Sequence, residues 1–353
     1  MNPQEFRNEI LRKMAQSGAP GKGVFELTCR CTLDCKMCYI HTKEMNCDTI
    51  AREKDGKWWI SQIEKAYEAG MLFALLTGGE CMLHPAFEEI YLHLFKRGIR
   101  TRINTNGTLL TEERVEFFKR YPPEEIQVTL YGSNDERYEA VTEHRVYHQV
   151  VSALERLNES GIPFLVSLTP CRQSIDDIPN MISFLKEKKY RYAVSAWLFE
   201  ANSETGRSKK DYEATVAQQV ECMRILRGTK YEGIPYNELP EPGGKATEKK
   251  YGMRCTAARS SFWLTWDGYI QPCSAQHNTK IICDDFHEAW EQLKSCSSAF
   301  ERPIECEGCV YLRACPNCQV YRCQGAEKGH CNKQICEYTM RLISEGIIPF
   351  PKE

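Results

Sequence analysis

The sequence predicts an α/β fold: a partial (βα)6 TIM-like barrel followed by a small cysteine-rich, cluster-binding C-terminal domain. Three observations predict it. Short β-like runs alternate with amphipathic helical runs from Gly23 to about Phe199, and such alternation builds a parallel sheet from right-handed βαβ units. The runs number six, fewer than the eight of a closed TIM barrel. Of 19 cysteines, eleven crowd between Cys255 and Cys336, a density that calls for metal, zinc or iron–sulfur, to hold the last third of the chain.

The β-like runs are Val24–Leu27, Leu72–Leu76, Arg100–Asn104, Ile126–Leu130, Phe164–Leu168 and Tyr192–Leu198. Between them the apolar residues recur at helical spacing. Phe87, Ile90, Tyr91 and Leu94 follow i, i+3, i+4, i+7, as do Ile178, Met181, Ile182 and Leu185. A further helix is expected from Lys209 to Arg227, with Tyr212, Val216, Val220 and Met223 on one face. The Gly-, Pro- and charge-rich stretch that follows reads as a linker. The expected organisation is an N-terminal extension at 1–22, the barrel at 23–227, the linker at 228–254, the cysteine-rich domain at 255–340 and a tail at 341–353.

Of 353 residues, 42% are apolar and 27% charged, with a formal net charge of −2. The length fits two domains, and the apolar fraction supports a packed core. Near-neutral charge speaks against nucleic acid or an anionic membrane as the main partner. No apolar run reaches the roughly 18 residues of a membrane helix, and the N-terminal segment lacks an apolar signal-peptide core. A cytoplasmic protein is expected. In a reducing compartment these thiols are not a disulfide framework, and an odd number cannot all pair within one chain.

In a parallel α/β sheet the functional groups sit at the carboxyl ends of the strands. After the first run comes TCRCTLDCKMCYIH, after the second TGGEC, then TNGT, YGSND, TPCR and FEANSETGR. Cys31, Cys35 and Cys38 place three thiolates on one tight loop, one short of the four a cubane [4Fe–4S] cluster needs, so one iron is left open to a ligand from outside the protein. Structural zinc sites close all four positions. Gly78 and Gly79 permit a ligand to approach the backbone closely. Glu80 adds a carboxylate able to accept hydrogen bonds from an ammonium group.

CTLDCKMC and the TGGE that follows the second run resemble the radical S-adenosylmethionine (radical SAM) superfamily, over about residues 23–200. The resemblance implies that Cys31, Cys35 and Cys38 hold a [4Fe–4S] cluster whose open iron is chelated by SAM, with Gly78, Gly79 and Glu80 at the methionine end. It implies reductive cleavage of SAM to a 5′-deoxyadenosyl radical that abstracts hydrogen from substrate, and an electron donor such as flavodoxin or ferredoxin. Asn104, Asn106 and Thr129 are candidates for ribose or carboxylate contacts from their place at strand ends. Asn104 and Asn106 equally suit a turn or a helix cap.

The C-terminal pattern is Cys255-x12-Gly268-x4-Cys273, then Cys306-x2-Cys309-x5-Cys315-x2-Cys318, then Cys336. It resembles the SPASM extension of peptide- and protein-modifying radical SAM enzymes, which carries two auxiliary [4Fe–4S] clusters. The family pattern has three residues before its sixth cysteine, where this chain has two before Cys318. The resemblance implies an outer cluster on Cys306, Cys309, Cys315 and Cys336, and an inner one on Cys255, Cys273 and Cys318. The inner cluster's fourth ligand is left to Cys283, Cys323, Cys331 or an open iron. Zinc knuckles pairing Cys306/Cys309 with Cys315/Cys318, in a non-enzymatic interaction protein, are the remote alternative.

Glu200 and Asn202, after the sixth run, and Cys171, after the fifth, are the candidates for substrate contact or proton transfer, set against a solvated loop and a buried packing thiol. His41 and His84 follow the two main motifs, and His84, before Pro85, suits the start of a helix. The expected substrate is a residue of a peptide or protein, to be crosslinked, joined as a thioether, epimerised or oxidised. A small molecule, or another enzyme's active-site residue, is the alternative. The 22 residues before the first strand are too few for a leader-recognition domain.

Overall fold

The structure, a computed structural model, describes residues 3–40, 47–195, 198, 208–242, 255–276, 279–298, 300–301, 303–306, 308–316, 318–323 and 329–351. Six parallel strands follow one another in the sheet: β1 (Lys22–Glu26), β2 (Phe73–Thr77), β3 (Arg100–Thr105), β4 (Glu125–Leu130), β5 (Phe164–Leu168) and β6 (Tyr192–Val194). Each lies within two residues of its expected start. The sixth ends earlier than expected, although Leu198 is buried; residues 196 and 197 lie outside the described set. Neighbouring strands stay level, with Glu26 opposite Thr77, Leu76 opposite Ile103, Thr105 opposite Val128 and Leu130 opposite Leu168. Their carboxyl ends therefore form one rim.

The helices are α1 (Pro3–Ser17), α2 (Cys47–Ala51), α3 (Gly56–Glu68), α4 (Phe87–Lys96), α5 (Glu112–Arg120), α6 (Asp135–Thr142), α7 (Tyr147–Glu159), α8 (Ile178–Glu187), α9 (Lys209–Tyr212), α10 (Val216–Arg227), α11 (Phe286–Ser298), α12 (Gln319–Cys323) and α13 (Lys333–Ser344). Side-chain acceptors start several of them: Asp55, Thr111 and Asn134 each take a backbone N–H three residues on, Trp58, Arg114 and Arg137. The apolar stripes read at helical spacing on α4 and α8 are the buried faces of those helices. Among the described residues no helix is long and apolar enough to cross a membrane.

Two expectations are corrected. The helix expected from Lys209 to Arg227 is two helices, because Thr215 leaves helical geometry to cap α10. Its hydroxyl accepts from Gln218 N, and the Gln218 side chain accepts from Thr215 N, a reciprocal capping box. The boundary at residue 255 also moves. Strand β7 (Ser261–Leu264) pairs in parallel with β1, and β8 (Tyr269–Gln271) and β9 (Ile281–Ile282) extend the sheet antiparallel. The result is one nine-stranded sheet, β6-β5-β4-β3-β2-β1-β7-β8-β9.

Strand β7 satisfies the polar edge that β1 would otherwise expose. It inserts Phe262 against Phe25, at 5.8 Å between ring centroids, and against Phe286, at 4.8 Å. The chain thus folds as one unit of Met1–Glu213 with Thr256–Lys294, and a second of Ala214–Cys255 with Ser295–Glu353. In the second unit Leu239, Tyr311, Met340 and Ile343 form a small apolar core, Arg224 pairs with Glu345, and the Tyr311 hydroxyl donates to Pro240 O.

Candidate functional site

The loop carrying Cys31, Cys35 and Cys38 leaves β1 and continues its pairing with β2 beyond the strands. Leu27 N donates to Thr77 O at 2.9 Å, Gly79 N to Thr28 O at 2.7 Å and Glu80 N to Arg30 O at 2.7 Å. This contact is what the two glycines allow. A Cβ on Gly78 (φ 144°) would lie 2.5 Å from Thr28 O, and one on Gly79 would lie 2.2 Å from Arg30 O. Their missing side chains admit the cysteine loop's own backbone, where the sequence suggested they admit a ligand. Further along, Asp34 N and Lys36 N donate to Thr142 O and Val141 O at the end of α6, which pins the backbone on either side of Cys35. Leu33, Cys35 and Met37 are buried with Val141, Cys171, Leu198 and Tyr212, and Cys31, Cys38 and Tyr131 pack against that patch.

A carboxylate the sequence reading did not single out ties this loop down. Glu53, whose side chain is 7% exposed, accepts from the Thr28 hydroxyl at 2.6 Å and from Arg30 Nη2 at 2.5 Å. Thr28 and Arg30 are the residues whose carbonyls receive Gly79 and Glu80, so Glu53 braces the cysteine-loop side of the joint at both points. His84 is buried beside it. Ala86 N donates to His84 Nδ1, which puts the ring proton on Nε2, 2.9 Å from Lys54 O. The imidazole starts α4 and anchors the loop of Glu53.

Glu80 is also placed differently from expectation. It is fully buried. One carboxylate oxygen accepts from Thr105 Oγ1 at 2.7 Å and Asn106 N at 2.9 Å, and the other from Met82 N at 3.3 Å. Burial pushes its pKa up against these hydrogen bonds. Its side chain joins the β2 turn to the β3 turn, because no apolar partner could replace those donors, and it is not displayed to an incoming ammonium. Asn106 Nδ2 donates to Thr32 Oγ1 at 2.9 Å and to Cys31 Sγ at 3.4 Å, while its Oδ1 accepts from Thr108 N and Oγ1. Burial pushes the Cys31 thiol up to about 12, so without iron it stays protonated, and ligation expels the proton. Tyr131, first after β4, packs against the patch that contains Cys35, beside Cys31 and Cys38.

Asn104 and Thr129 are half-buried on β3 and β4. Cys171 is wholly buried, its N and Sγ on Ser174 Oγ at 3.1 and 3.5 Å. It packs in the patch with Leu33 and Cys35. Glu200, Asn202 and His41 lie outside the described residues.

In the second unit Cys306 Sγ and Cys331 Sγ stand 3.7 Å apart, with Cys336 also hydrogen-bonded to Cys331 and Cys315 near Cys306 and Cys336. Glu305 braces this group, accepting from Cys331 N at 3.0 Å and pairing with His330 at 2.7 Å. Cys331, a candidate for the inner set, therefore groups with the outer one. Cys283, another inner candidate, is buried in the first unit and donates to Gln62 Oε1 at 3.7 Å, turned into α3. Cys323 lies near Cys306 and Cys318. The inner set itself is divided, with Cys273 in the first unit and Cys255 and Cys318 in the second.

Among the described residues no three His, Cys, Asp or Glu side chains converge on a single point as one metal ion requires. A cubane makes a different demand, since each thiolate binds its own iron and the ligands stand apart around a shared centre. Three thiols on one loop, packed against an apolar patch and with the Asn106 amide donating to Cys31, fit that demand.

Comparison with known proteins agrees. Residues 25–185 match the radical SAM superfamily. The chain is 23% identical over 352 residues to the antilisterial bacteriocin subtilosin biosynthesis protein AlbA of Bacillus subtilis, covering 93% of this chain and 73% of AlbA. It is 24% identical over 332 residues to the AdoMet-dependent heme synthase of Methanosarcina barkeri, covering 87% and 93%. Among solved structures, Streptococcus suis SuiB superposes with a TM-score of 0.68 bound to S-adenosylmethionine and 0.65 bound to its precursor peptide SuiA. Identity is 20% and 19%, with 95% and 96% of this chain and 81% and 82% of SuiB covered. With its cysteine loop seated on a Gly-Gly-Glu turn at the rim of a parallel sheet, residues 25–185 of the chain form a radical SAM domain.

Proposed function

We propose that this enzyme modifies a residue of a peptide or protein, and that Cys31, Cys35 and Cys38 hold the [4Fe–4S] cluster at which SAM binds. The cluster with SAM supplies one-electron cleavage of SAM and the hydrogen abstraction that follows. The chain's own residues do the positioning. Main-chain contacts at Gly79 and Glu80 fix the cysteine loop against the β2 turn, Glu53 locks that joint, and the patch of Leu33, Met37, Leu198 and Tyr212 buries Cys35 and backs Cys31 and Cys38. The Glu80 carboxylate and the N–H groups of Gly79 and Glu80 are occupied within the chain, and the turn of Gly78, Gly79 and Glu80 that they hold is where the methionine end of SAM would sit.

The observation that carries the reading is this joint, in a chain that aligns along nearly its whole length with AlbA and SuiB. The C-terminal cysteines are proposed to hold two auxiliary [4Fe–4S] clusters, SPASM-fashion. Cys306, Cys309, Cys315 and Cys336 would serve the outer one, and Cys255, Cys273 and Cys318 the inner.

Anaerobic reconstitution tests this. Wild-type protein should hold about twelve irons and, reduced by dithionite, convert SAM to 5′-deoxyadenosine. Alanine at Cys31, Cys35 and Cys38 should abolish the conversion. With a deuterated peptide encoded by a short reading frame beside the gene, deuterium should appear in 5′-deoxyadenosine. Similarity to the heme synthase supports the second reading, a small-molecule substrate, and transfer from a deuterated porphyrin instead of the peptide would establish it.

A further inference from the structure

We propose that Asn106 and Tyr131 are positioning residues that raise the reduction potential of the SAM-binding cluster by hydrogen-bonding its cysteine sulfurs; this rests on the reading that Cys31, Cys35 and Cys38 hold that cluster. The two residues occupy equivalent places, Asn106 one residue beyond β3 and Tyr131 one beyond β4, where the rim meets the cysteine loop.

The Asn106 amide has only one orientation open to it. Thr108 N donates to its oxygen at 2.9 Å and the Thr108 hydroxyl does so at 2.7 Å. The oxygen must therefore face Thr108, and the NH2 group must face Thr32 and Cys31 Sγ, at 2.9 and 3.4 Å. A flipped amide would set its NH2 against the Thr108 N–H. The Thr32 and Thr108 hydroxyls, 2.6 Å apart, close the ring and hold the side chain still. Asn106 is 6% exposed, so its amide is held within the fold.

Tyr131 packs against the patch that contains Leu33, Cys35 and Met37 and edge-on to Tyr138, at 5.9 Å between ring centroids. From that position its hydroxyl is assigned as the donor to Cys35. One donor thus serves the first cysteine of the loop and another the second.

A donor aimed at a thiolate ligand draws charge from the sulfur. Reduction adds one negative charge to the cluster, and the donor stabilises the charged form more, which raises the potential. The effect is largest in a dry site. The Asn106 side chain is therefore engaged with sulfur and with Thr32 and Thr108, in place of the ribose or carboxylate contact suggested by its sequence position.

The test is an anaerobic potentiometric titration of the reconstituted holoenzyme, followed by the EPR signal that changes on adding SAM. Tyr131→Phe should make reduction about tenfold less favourable, a shift of about −59 mV for one electron. Asn106→Asp, which turns an acceptor toward Cys31, should shift it further in the same direction, and Asn106→Ser less. Iron content is measured alongside. Unchanged midpoints in variants that load wild-type iron overturn the proposal. A variant that fails to load leaves the decision to the other two. If Cys31→Ala keeps the SAM-responsive signal, the cluster assignment itself is wrong, an outcome separate from failure of the tuning role.

Discussion

The rim around Cys31, Cys35 and Cys38 and the cysteine group around Cys306, Cys331 and Cys336 both gather thiols, but different forces hold them. At the rim, main-chain hydrogen bonds from Leu27, Gly79, Glu80, Asp34 and Lys36 set the loop, and buried Glu53 and Glu80 reinforce it. Those bonds extend the sheet and need no metal. The C-terminal group has short elements, α12 and the start of α13, and half-buried thiols. Among the described residues its braces include Glu305 on Cys331 N and His330, Arg322 on Pro316 O, and Asn332 N on Arg322 O. The first site is preformed by the fold, whereas the second, if it holds the proposed clusters, would draw much of its stability from ligation.

Iron removal gives the largest expected contrast. Anaerobic chelation should leave the barrel's amide hydrogen exchange nearly unchanged while protection of residues 304–336 collapses. Equal loss in both regions would break the comparison.

Next in size is a pH effect inside the barrel. Burial raises Glu26, fully enclosed and bonded to Trp263 Nε1 at 2.9 Å, from 4.5 to about 8, with Asp267 adding to the rise and the Trp263 bond and Lys280 opposing it. Between those pH values the folded protein keeps a proton that the unfolded chain releases. Its contribution to stability therefore falls as pH rises through the window and levels off above about 8. Glu26→Gln should remove this decline, up to a few kcal/mol, as read from denaturant melts at pH 5 and pH 8. An identical slope in the variant would place the titration elsewhere.

Gly79→Ala forces a methyl group to 2.2 Å from Arg30 O. It should cost about 1–3 kcal/mol and weaken SAM binding, measured by calorimetry on the reconstituted enzyme, while leaving the C-terminal cysteines loaded. Glu53→Gln is the gentlest probe. The amide oxygen can still accept from Thr28, but the charge facing Arg30 is gone, and about 1 kcal/mol should be lost. Its KM for SAM should rise more than kcat falls, because the joint and not the chemistry is loosened.

Much of the fold was legible locally. Phe164–Leu168 is a strand as read, and the stripes on α4 and α8 are the buried ones, since period-2 and period-3.6 burial are properties of short windows. The order of the cysteine and Gly-Gly-Glu motifs on successive strand ends was equally visible. Less legible were contacts between distant segments. Glu53 lies in no motif and Tyr131 only opens the YGSND that follows β4, and each gains its place only when Thr28 and the patch around Cys35, respectively, come alongside.

By itself, then, the sequence determined the alternating barrel, the three-thiol loop and the chemistry that such a loop supports. Tertiary structure alone decided that β7 completes the β1 edge and that the glycines make room for backbone. It also decided that Glu80 braces a neighbouring turn and that Cys331 joins Cys306. The reason is physical: spacing along the chain fixes which groups are available, but a buried polar group must take whichever partner the packing brings to it.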